Sequence, residues 1–369
     1  MKKFLITLAV IVVIAIAALT GVLYCRSEIN GTDKRGESVE FVVEQGSGAS
    51  TIASDLKEAG IISSSKLFKY YLKKTGAGTT LQYGTFTLED GMSYDEIIAV
   101  LSQTVSKETV TLTIPEGTTA YAIAQMMEEA GLCSAEDFLA CANGEDGSDF
   151  SNYGFWSEIE DNEGRFMKCE GYLFPETYEF FVDDDVYNYV DKFYAEFESR
   201  VYEVYADDIA ALSLSFDEVI ILASFVQEEG TTGEFENVAE VFLNRLADDS
   251  PVPWLNSNCS SYIEAGDENN YMYNTIAAYY GGWDSIPEEV YSAYDTYTLT
   301  GLTAGAISNP GIEAIEAVLY PNTDLVSEAG NSPCYYFVTD LAGTYYYGAT
   351  LSEHNTNVQT ANSVNSALE

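Results

Sequence analysis

Twenty-one consecutive residues, from Phe4 to Tyr24, are almost all apolar, and they set the first limit on how this chain folds. A helix needs about 20 apolar residues to cross a bilayer, whereas the apolar part of a cleavable signal peptide is shorter. Bulky Tyr24 also precedes Cys25, where a lipoprotein signal would carry a small residue. Residues 1–26 are therefore predicted to form a retained single-pass anchor, with the N-terminus in the cytoplasm and the remaining chain outside it.

A degenerate internal repeat follows this apolar run. Residues 39–61 and 110–132 each read as a short alternating strand, a turn and an amphipathic helix that ends at a glycine. In the aligned helices, Ile52 of the first copy matches Ile123 of the second. Each copy is a small packing unit, so the repeat predicts where modules begin rather than what they bind.

The repeat divides the chain beyond the anchor. A polar linker, residues 27–37, leads into the first copy. Residues 81–88 then read as a second strand and residues 93–101 as a helix. These elements and the first copy are predicted to form a small α+β module over residues 38–108. The second copy begins a larger domain, residues 109–369.

The overall charge limits the classes of partner. The chain has 59 acidic and 16 basic residues, a formal net charge of −43. Nucleic-acid binding requires a basic surface, so no nucleic-acid partner is expected, and the same average argues against docking on anionic lipid head groups. The single histidine, His354, rules out a multi-histidine metal site, and no CxxC pair suggests a zinc ribbon. Neither a metal nor another cofactor is expected.

Residues 219–246 read as two short helices joined by a Gly-Thr-Thr-Gly turn, and they place a carboxylate in an unusual position. At about 100° per residue, Glu229 falls in the middle of the apolar side of the first helix, and Glu228 points away from it. A charge on a buried face is costly unless the protein uses it. The alternative interpretation is that Glu229 lies past the helix end and contacts solvent. The apolar side consists of Val219, Leu222, Ala223, Phe225 and Val226.

The last third of the chain is less regular. Residues 312–320 read as a helix, and residues 335–339 and 344–347 as a two-stranded hairpin. The chain then closes with LSEHNTNVQTAN and a polar tail.

Seven motifs occur in a fixed order along the chain. Each is weak alone, but together they resemble the endolytic murein transglycosylases, the YceG-like family, from the anchor to Gln359. The motifs are EGYLFPETY at 170–178, ILASFVQEEG at 221–230, VAEVFLNRL at 238–246, WLNSN at 254–258, AYDTYTLTGL at 293–302, SNPG at 308–311 and EHN at 353–355.

The resemblance implies an α+β protein with an N-terminal transmembrane helix, a small LysM-like module and a mixed α+β catalytic domain. Its implied substrate is the glycan strand of peptidoglycan, cut at the β-1,4 bond between N-acetylmuramic acid and N-acetylglucosamine. The implied product carries a 1,6-anhydro-muramic end, and the cut limits strand elongation. The implied location is the cell membrane, with the catalytic domain outside the cytoplasm and peptidoglycan synthases as protein partners.

The resemblance also implies the site residues. The family's catalytic acid aligns with Glu229, which would protonate the glycosidic oxygen and then accept a proton from the muramic C6 hydroxyl. The substrate supplies its own nucleophile, so the second carboxylate of ordinary glycosidases is not required. The implied substrate-binding residues are Tyr172, Leu255, Asn256, Asn258, Tyr294, Thr296 and Asn309.

Several positions depart from the family pattern. Gly230 stands where the family usually has Thr or Ser, and Asn256 and Asn258 replace a Gln and an Asp. Cys259 replaces a Pro and Tyr345 a His. These changes keep a second hypothesis open, in which the chain is an inactive, membrane-anchored wall-binding protein that recruits or regulates peptidoglycan synthesis. The retained Glu229 favours the enzyme.

Overall fold

The computed structural model describes residues 2–31, 36, 38–43, 47–103, 108–261, 269–327, 330 and 332–368, without the side chains of residues 2–11, 13–15 and 17. The chain divides into two compact units, Met1–Lys107 and Glu108–Glu369. Both combine helices with short two-stranded antiparallel sheets. The protein is therefore a mixed α+β protein, as the sequence predicts.

The first unit begins with helix α1 (Lys2–Asn30), which contains the predicted anchor. Within the described ranges, no helix has both the length and the apolar character needed to span a membrane. Most side chains between Phe4 and Ala17 lie outside the described residues, as do residues 32–35 and 37 of the predicted linker.

The rest of the first unit, as far as the structure describes it, is one sheet covered by three α-helices. Its strands pair antiparallel, with Phe41 opposite Phe86, and Phe68 and Leu72 are among the buried side chains beneath them. Ser93 begins the last helix with a capping box that it shares with Glu96. The elements are β1 (Ser38–Val43), α2 (Ala49–Glu58), α3 (Ser65–Thr75), β2 (Gly84–Glu89) and α4 (Tyr94–Leu101).

The second unit holds the remaining elements. Two π-helical turns, Glu198–Tyr202 and Met272–Ala277, interrupt its helices. The elements are β3 (Thr109–Thr113), α5 (Ala120–Glu129), α6 (Ala135–Asn143), β4 (Thr177–Phe181), α7 (Val186–Phe197), α8 (Glu203–Ile209), α9 (Phe216–Glu229), α10 (Phe235–Leu246), α11 (Ala278–Tyr280), α12 (Glu288–Tyr294), α13 (Ile312–Leu319), β5 (Tyr336–Thr339), β6 (Tyr345–Gly348) and α14 (Leu351–Leu368).

The two repeat copies take different partners. Strand β1 pairs with β2 of its own module, whereas β3 pairs with β4, which lies at the end of the EGYLFPETY motif. The hairpin β5–β6 forms as the sequence predicts. The polar tail does not remain irregular, because it forms α14, which packs on that hairpin and buries Ala361.

Helix α9 forms the centre of the second unit. Every residue from Val219 to Val226 is buried, Ser224 included. The prediction of one apolar and one polar side is therefore wrong, because α10, α13 and the segment around Ile307 cover this helix together. Burial ends only at the last turn, where Glu228 is exposed and Glu229 half-buried.

Candidate functional site

Glu229 is the last residue of α9, and two groups hold it there. Its Oε1 accepts a hydrogen bond of 2.7 Å from the Ser257 hydroxyl. Its main-chain oxygen accepts one of 2.8 Å from the Tyr345 hydroxyl, which satisfies a carbonyl that the helix end would otherwise leave open. The tyrosine that departs from the family pattern thus contacts the end of this helix directly.

Thr296 positions Ser257. The Thr296 side chain accepts a hydrogen bond of 3.2 Å from the Ser257 main-chain N–H and donates one of 3.0 Å to the Ser257 carbonyl. The Asn256 N–H donates to the Thr296 carbonyl at 3.1 Å. Asn256 has φ of +46°, a left-handed conformation that Asn tolerates better than most residues. This turn therefore directs the Ser257 hydroxyl toward Glu229.

Arg245 supports the same segment from within the protein. Its guanidinium donates to the carbonyls of Leu255 and Tyr335, and the residue is only 6% exposed. Burial lowers the pKa of Arg245 to about 10, although the Glu229 carboxylate opposes this shift. Arg245 therefore stays charged at neutral pH and places a buried positive charge in the field of Glu229.

A cavity of about 190 Å³ lies on the side of Glu228. Glu228 as a whole residue is exposed, yet desolvation is the largest cause that raises the pKa of its carboxyl; the nearby Glu229 raises this pKa further, while a hydrogen bond with Ser308 lowers it. Burial, together with these two carboxylates, also raises the pKa of the Cys259 thiol, which therefore stays protonated and unreactive. The cavity is lined by Thr119, Glu228, Cys259, Asn269, Asn270, Tyr271, Asn274, Thr275 and Ile307.

Glu170 is the most deeply buried carboxyl near this cavity, with no exposed surface. Its Oε1 accepts hydrogen bonds from the Ala120 N–H at 2.9 Å and the Asn309 amide at 3.0 Å. Its Oε2 accepts one of 3.0 Å from the Tyr271 hydroxyl. Desolvation raises the pKa of Glu170 to about 8 despite these donors, so the carboxyl is mostly uncharged at neutral pH.

Replacing Glu170 with glutamine should remove a pH dependence of stability. In the wild type, the unfolded chain releases this proton near pH 4.5, whereas the folded protein keeps it to about pH 8. The stabilisation is therefore complete below pH 4.5 and is lost as the pH rises to 8, by on the order of a few kcal/mol. Glutamine imitates the protonated form throughout.

Thermal unfolding of both proteins across this pH range measures the effect. The stability of Glu170→Gln relative to wild type should rise with pH. Parallel curves would contradict the assignment of a buried proton to Glu170.

The structure places Tyr172 away from Glu229, contrary to expectation. Its hydroxyl donates a hydrogen bond of 2.6 Å to Asp217 in the first turn of α9. Twelve residues of helix separate Asp217 from Glu229, a distance of about 18 Å along the axis. Tyr172 therefore belongs to the core. It lies in one of the seven motifs, but that motif does not place its side chain at the candidate site.

Tyr294, Asn309 and Leu255 are also buried among protein groups. The Tyr294 hydroxyl accepts a hydrogen bond from the Phe166 N–H at 3.2 Å, and the Asn309 side chain accepts two from the main chain of the EGYLFPETY turn. Their contacts are structural. Asn258, in contrast, is exposed directly beyond Ser257, and its side-chain oxygen accepts a hydrogen bond from the Tyr297 hydroxyl.

Of the predicted binding residues, the structure therefore brings Asn256, Asn258 and Thr296 to the segment that contacts Glu229. Sequence reasoning missed Ser257 and Arg245 as parts of the site. Both lie inside motifs that were recognised, WLNSN and VAEVFLNRL. The sequence feature that could have indicated their roles is that Ser257 is the one hydroxyl residue of WLNSN and Arg245 the one cationic residue of VAEVFLNRL.

Gly230 packs closely against the ring of Phe235. A Cβ at position 230 would lie 2.3 Å from Phe235 Cδ1 and 2.8 Å from the Val226 carbonyl oxygen. The φ of −91° is open to any residue, so these two close contacts, and not the backbone conformation, disfavour a side chain at position 230. The family's usual Thr or Ser therefore does not fit beside Phe235 in this arrangement.

Replacing Gly230 with alanine should lower the free energy of unfolding by about 1–3 kcal/mol, the usual cost of overpacking. A double variant that adds Phe235→Leu should lose less than the sum of the single changes, because the smaller side chain relieves part of the clash. Urea denaturation of the four proteins measures this coupling. Strict additivity of the two changes would show that Phe235 does not restrict position 230.

Several known proteins are similar to this chain. The chain is 29% identical over 339 residues to the endolytic murein transglycosylase of Bacillus subtilis, covering 90% of this chain and 88% of that protein. It is 29% identical over 345 residues to the endolytic murein transglycosylase of Streptococcus pneumoniae R6, covering 88% of this chain but only 58% of that protein.

A solved structure is also similar. The crystal structure of a putative yceG-like protein from Listeria monocytogenes matches with a TM-score of 0.52 and 25% identity, over 87% of this chain and 99% of that chain. The sequence model of the YceG-like family matches residues 41–360, most of the chain. This protein belongs to the YceG-like family.

Proposed function

We propose that this protein is an endolytic murein transglycosylase, a lytic enzyme that cuts the glycan strands of peptidoglycan. The observation that carries the proposal is the Glu229 carboxyl, half-buried at the end of a buried helix and held by the Ser257 hydroxyl. The activity for which the relatives from Bacillus subtilis and Streptococcus pneumoniae are named supports the same reaction.

In the proposed reaction, Glu229 acts first as an acid and then as a base. Its proton passes to the glycosidic oxygen as the bond from that oxygen to the muramic anomeric carbon breaks. The C6 hydroxyl of the same muramic residue attacks the anomeric carbon and gives its proton to Glu229. The product is a 1,6-anhydro-muramic end, no water is consumed, and the carboxyl returns to its starting state.

The surrounding residues have supporting roles in this mechanism. Ser257 fixes one carboxyl oxygen, so that the rotamer of Glu229 is defined before the substrate binds. Arg245 favours the carboxylate that forms after the first proton transfer. Asn256 and Asn258 offer amide donors and acceptors suited to sugar hydroxyl and acetamido groups. An inactive wall-binding protein would have no use for a carboxyl supported in this way, which favours the enzyme.

The remaining parts of the proposal concern location. The apolar run Phe4–Tyr24 anchors the protein in the cell membrane, with the catalytic unit outside the cytoplasm. The module at residues 38–108 is LysM-like. The cut limits the elongation of nascent strands beside peptidoglycan synthases.

Digestion of uncrosslinked glycan strands with the full chain, followed by mass spectrometry of the ends, tests the proposal. Anhydro-muramic ends, lighter than reducing ends by one water, are expected. Reducing ends would make water the nucleophile and the protein a hydrolase. Undegraded strands would favour the wall-binding alternative.

A further inference from the structure

The charge of the chain is divided unevenly between its two units. Residues 1–107 hold 11 of the 16 basic and 11 of the 59 acidic residues, so their charges cancel. Residues 108–369 hold 5 basic against 48 acidic residues and carry the entire excess of −43. The net negative charge that argues against anionic partners therefore belongs to the second unit only.

Four of the eleven basic residues of the first unit lie on helix α3 (Ser65–Thr75), which has no acidic residue. Its inward side buries Phe68 and Leu72. At about 100° per residue, its lysines and Tyr70 fall on the opposite side, and Tyr70 is 64% exposed. We call this side the lysine face, which consists of Lys66, Lys69, Tyr70, Lys73 and Lys74.

The lysine face is not neutralised by neighbouring acids. Among the residues that the structure describes, no ion pair includes any of its four lysines. Lys69 and Lys73 also border a shallow cleft of about 370 Å³ whose other lining residues are uncharged. An exposed aromatic ring among unpaired lysines is the composition of surfaces that lie at a membrane interface.

The start of α3 is joined to the end of α1. Glu28 Oε1 accepts hydrogen bonds from the Ser63 N–H at 2.6 Å and the Ser64 N–H at 3.1 Å. The Tyr94 hydroxyl donates to the same oxygen at 3.2 Å. Glu28 lies four residues beyond Tyr24, the end of the apolar run, which is about 6 Å along the helix. The beginning of α3 is therefore close to where an inserted α1 would leave the lipid.

We propose that the lysine face binds the anionic head groups of the membrane in which α1 is anchored. The inference rests on the proposed anchor, not on the proposed catalytic activity. Charges interact across about 8 Å at physiological salt, and basic residues within that distance of an anionic lipid surface are attracted by its negative potential. The contact orients the first unit on the membrane.

Reconstitution of the full chain in lipid nanodiscs provides the test, with acetylation of each lysine followed by mass spectrometry. Phosphatidylcholine discs are compared with discs containing phosphatidylglycerol. The four lysines of the face should react at least about threefold more slowly in the anionic discs, and about 1 M salt should remove the difference. Lys57 is the internal control, because it is exposed on α2 of the same unit near Asp55 and Glu58.

A variant with glutamine at all four lysines gives a second measurement. Hydroxyl-radical labelling of Tyr70 should be reduced several-fold by anionic discs in the wild type and in Lys57→Gln, but not in this variant. Tyr83, which is 54% exposed in the same unit, should be unaffected.

Three results would overturn the inference. Equal reactivity of the lysines in the two kinds of disc would show that lipid charge is not recognised. Protection by added uncrosslinked glycan, and not by anionic lipid, would assign the face to the wall polymer. A chain that does not co-elute with discs would refute the anchor and this contact, leaving the catalytic proposal standing.

Discussion

Glu229→Gln should abolish the formation of anhydro-muramic ends, with a loss of at least about a thousandfold in rate. General acid–base catalysis contributes typically 10²–10⁴-fold, and here one carboxyl supplies both the acid and the base. Glutamine neither donates a carboxyl proton nor accepts one. Its side-chain oxygen can still accept the hydrogen bond from Ser257, so thermal stability and glycan binding should be nearly unchanged.

Two further variants make this prediction specific. Glu228→Gln should keep activity within about tenfold of wild type, because its carboxyl faces the neighbouring cavity. Ser257→Ala should give an intermediate loss on the order of tenfold, since the carboxyl stays but its hydrogen bond goes. Mass spectrometry of the strand ends distinguishes the three. Wild-type rates from Glu229→Gln, or a dead Glu228→Gln, would show the assignment to be wrong.

Asp217→Ala should destabilise the second unit by about 3–5 kcal/mol, because it leaves a buried charge without its partner. Asp217 forms an ion pair with Arg165, and their side chains are 1% and 7% exposed. Asp217 also accepts the Tyr172 hydrogen bond, and Arg165 Nε and Nη1 have no hydrogen-bond partner among the described residues. Removing the carboxylate therefore leaves both Arg165 and Tyr172 unsatisfied.

Denaturant unfolding measures this loss against a surface pair as the control. Glu196→Ala removes one of the two carboxylate partners of the exposed Arg200 and should change stability by less than about 1 kcal/mol. Adding Arg165→Met to Asp217→Ala should recover part of the stability, because the unpaired charge is gone. Equal losses from Asp217→Ala and Glu196→Ala would contradict the account.

Local patterns predicted most of the secondary structure. The repeat helices, the pair α9 and α10 and the hairpin β5–β6 depend on periodicity and turn residues, which the sequence displays directly. Helix α14 was missed because its sequence is polar and its helical form is supported by packing on the hairpin. The partner of β3 was not predicted because it lies more than sixty residues away, beyond α5, α6 and an irregular segment.

In the candidate site, too, the features that depend on nearby residues were predicted and those that depend on distant segments were not. A motif and a helical position indicated Glu229, and both refer to residues near one another in sequence. Ser257 acts through a turn that Thr296 sets from a distant segment, so its role becomes visible only in three dimensions. Tyr172 is the opposite case. Its motif implied a role in the site, but its side chain packs in the core at the other end of α9.

The contact between Gly230 and Phe235 also constrains the order in which this protein can change. A Thr or Ser at position 230 is disfavoured as long as the Phe235 ring occupies the space that a Cβ would need. A change of Gly230 to Thr or Ser would therefore have to follow a change to a smaller side chain at position 235. The effect of a substitution at position 230 therefore depends on the residue at position 235. Exchanging one of these residues at a time between relatives would not show which pairs of residues the two positions tolerate.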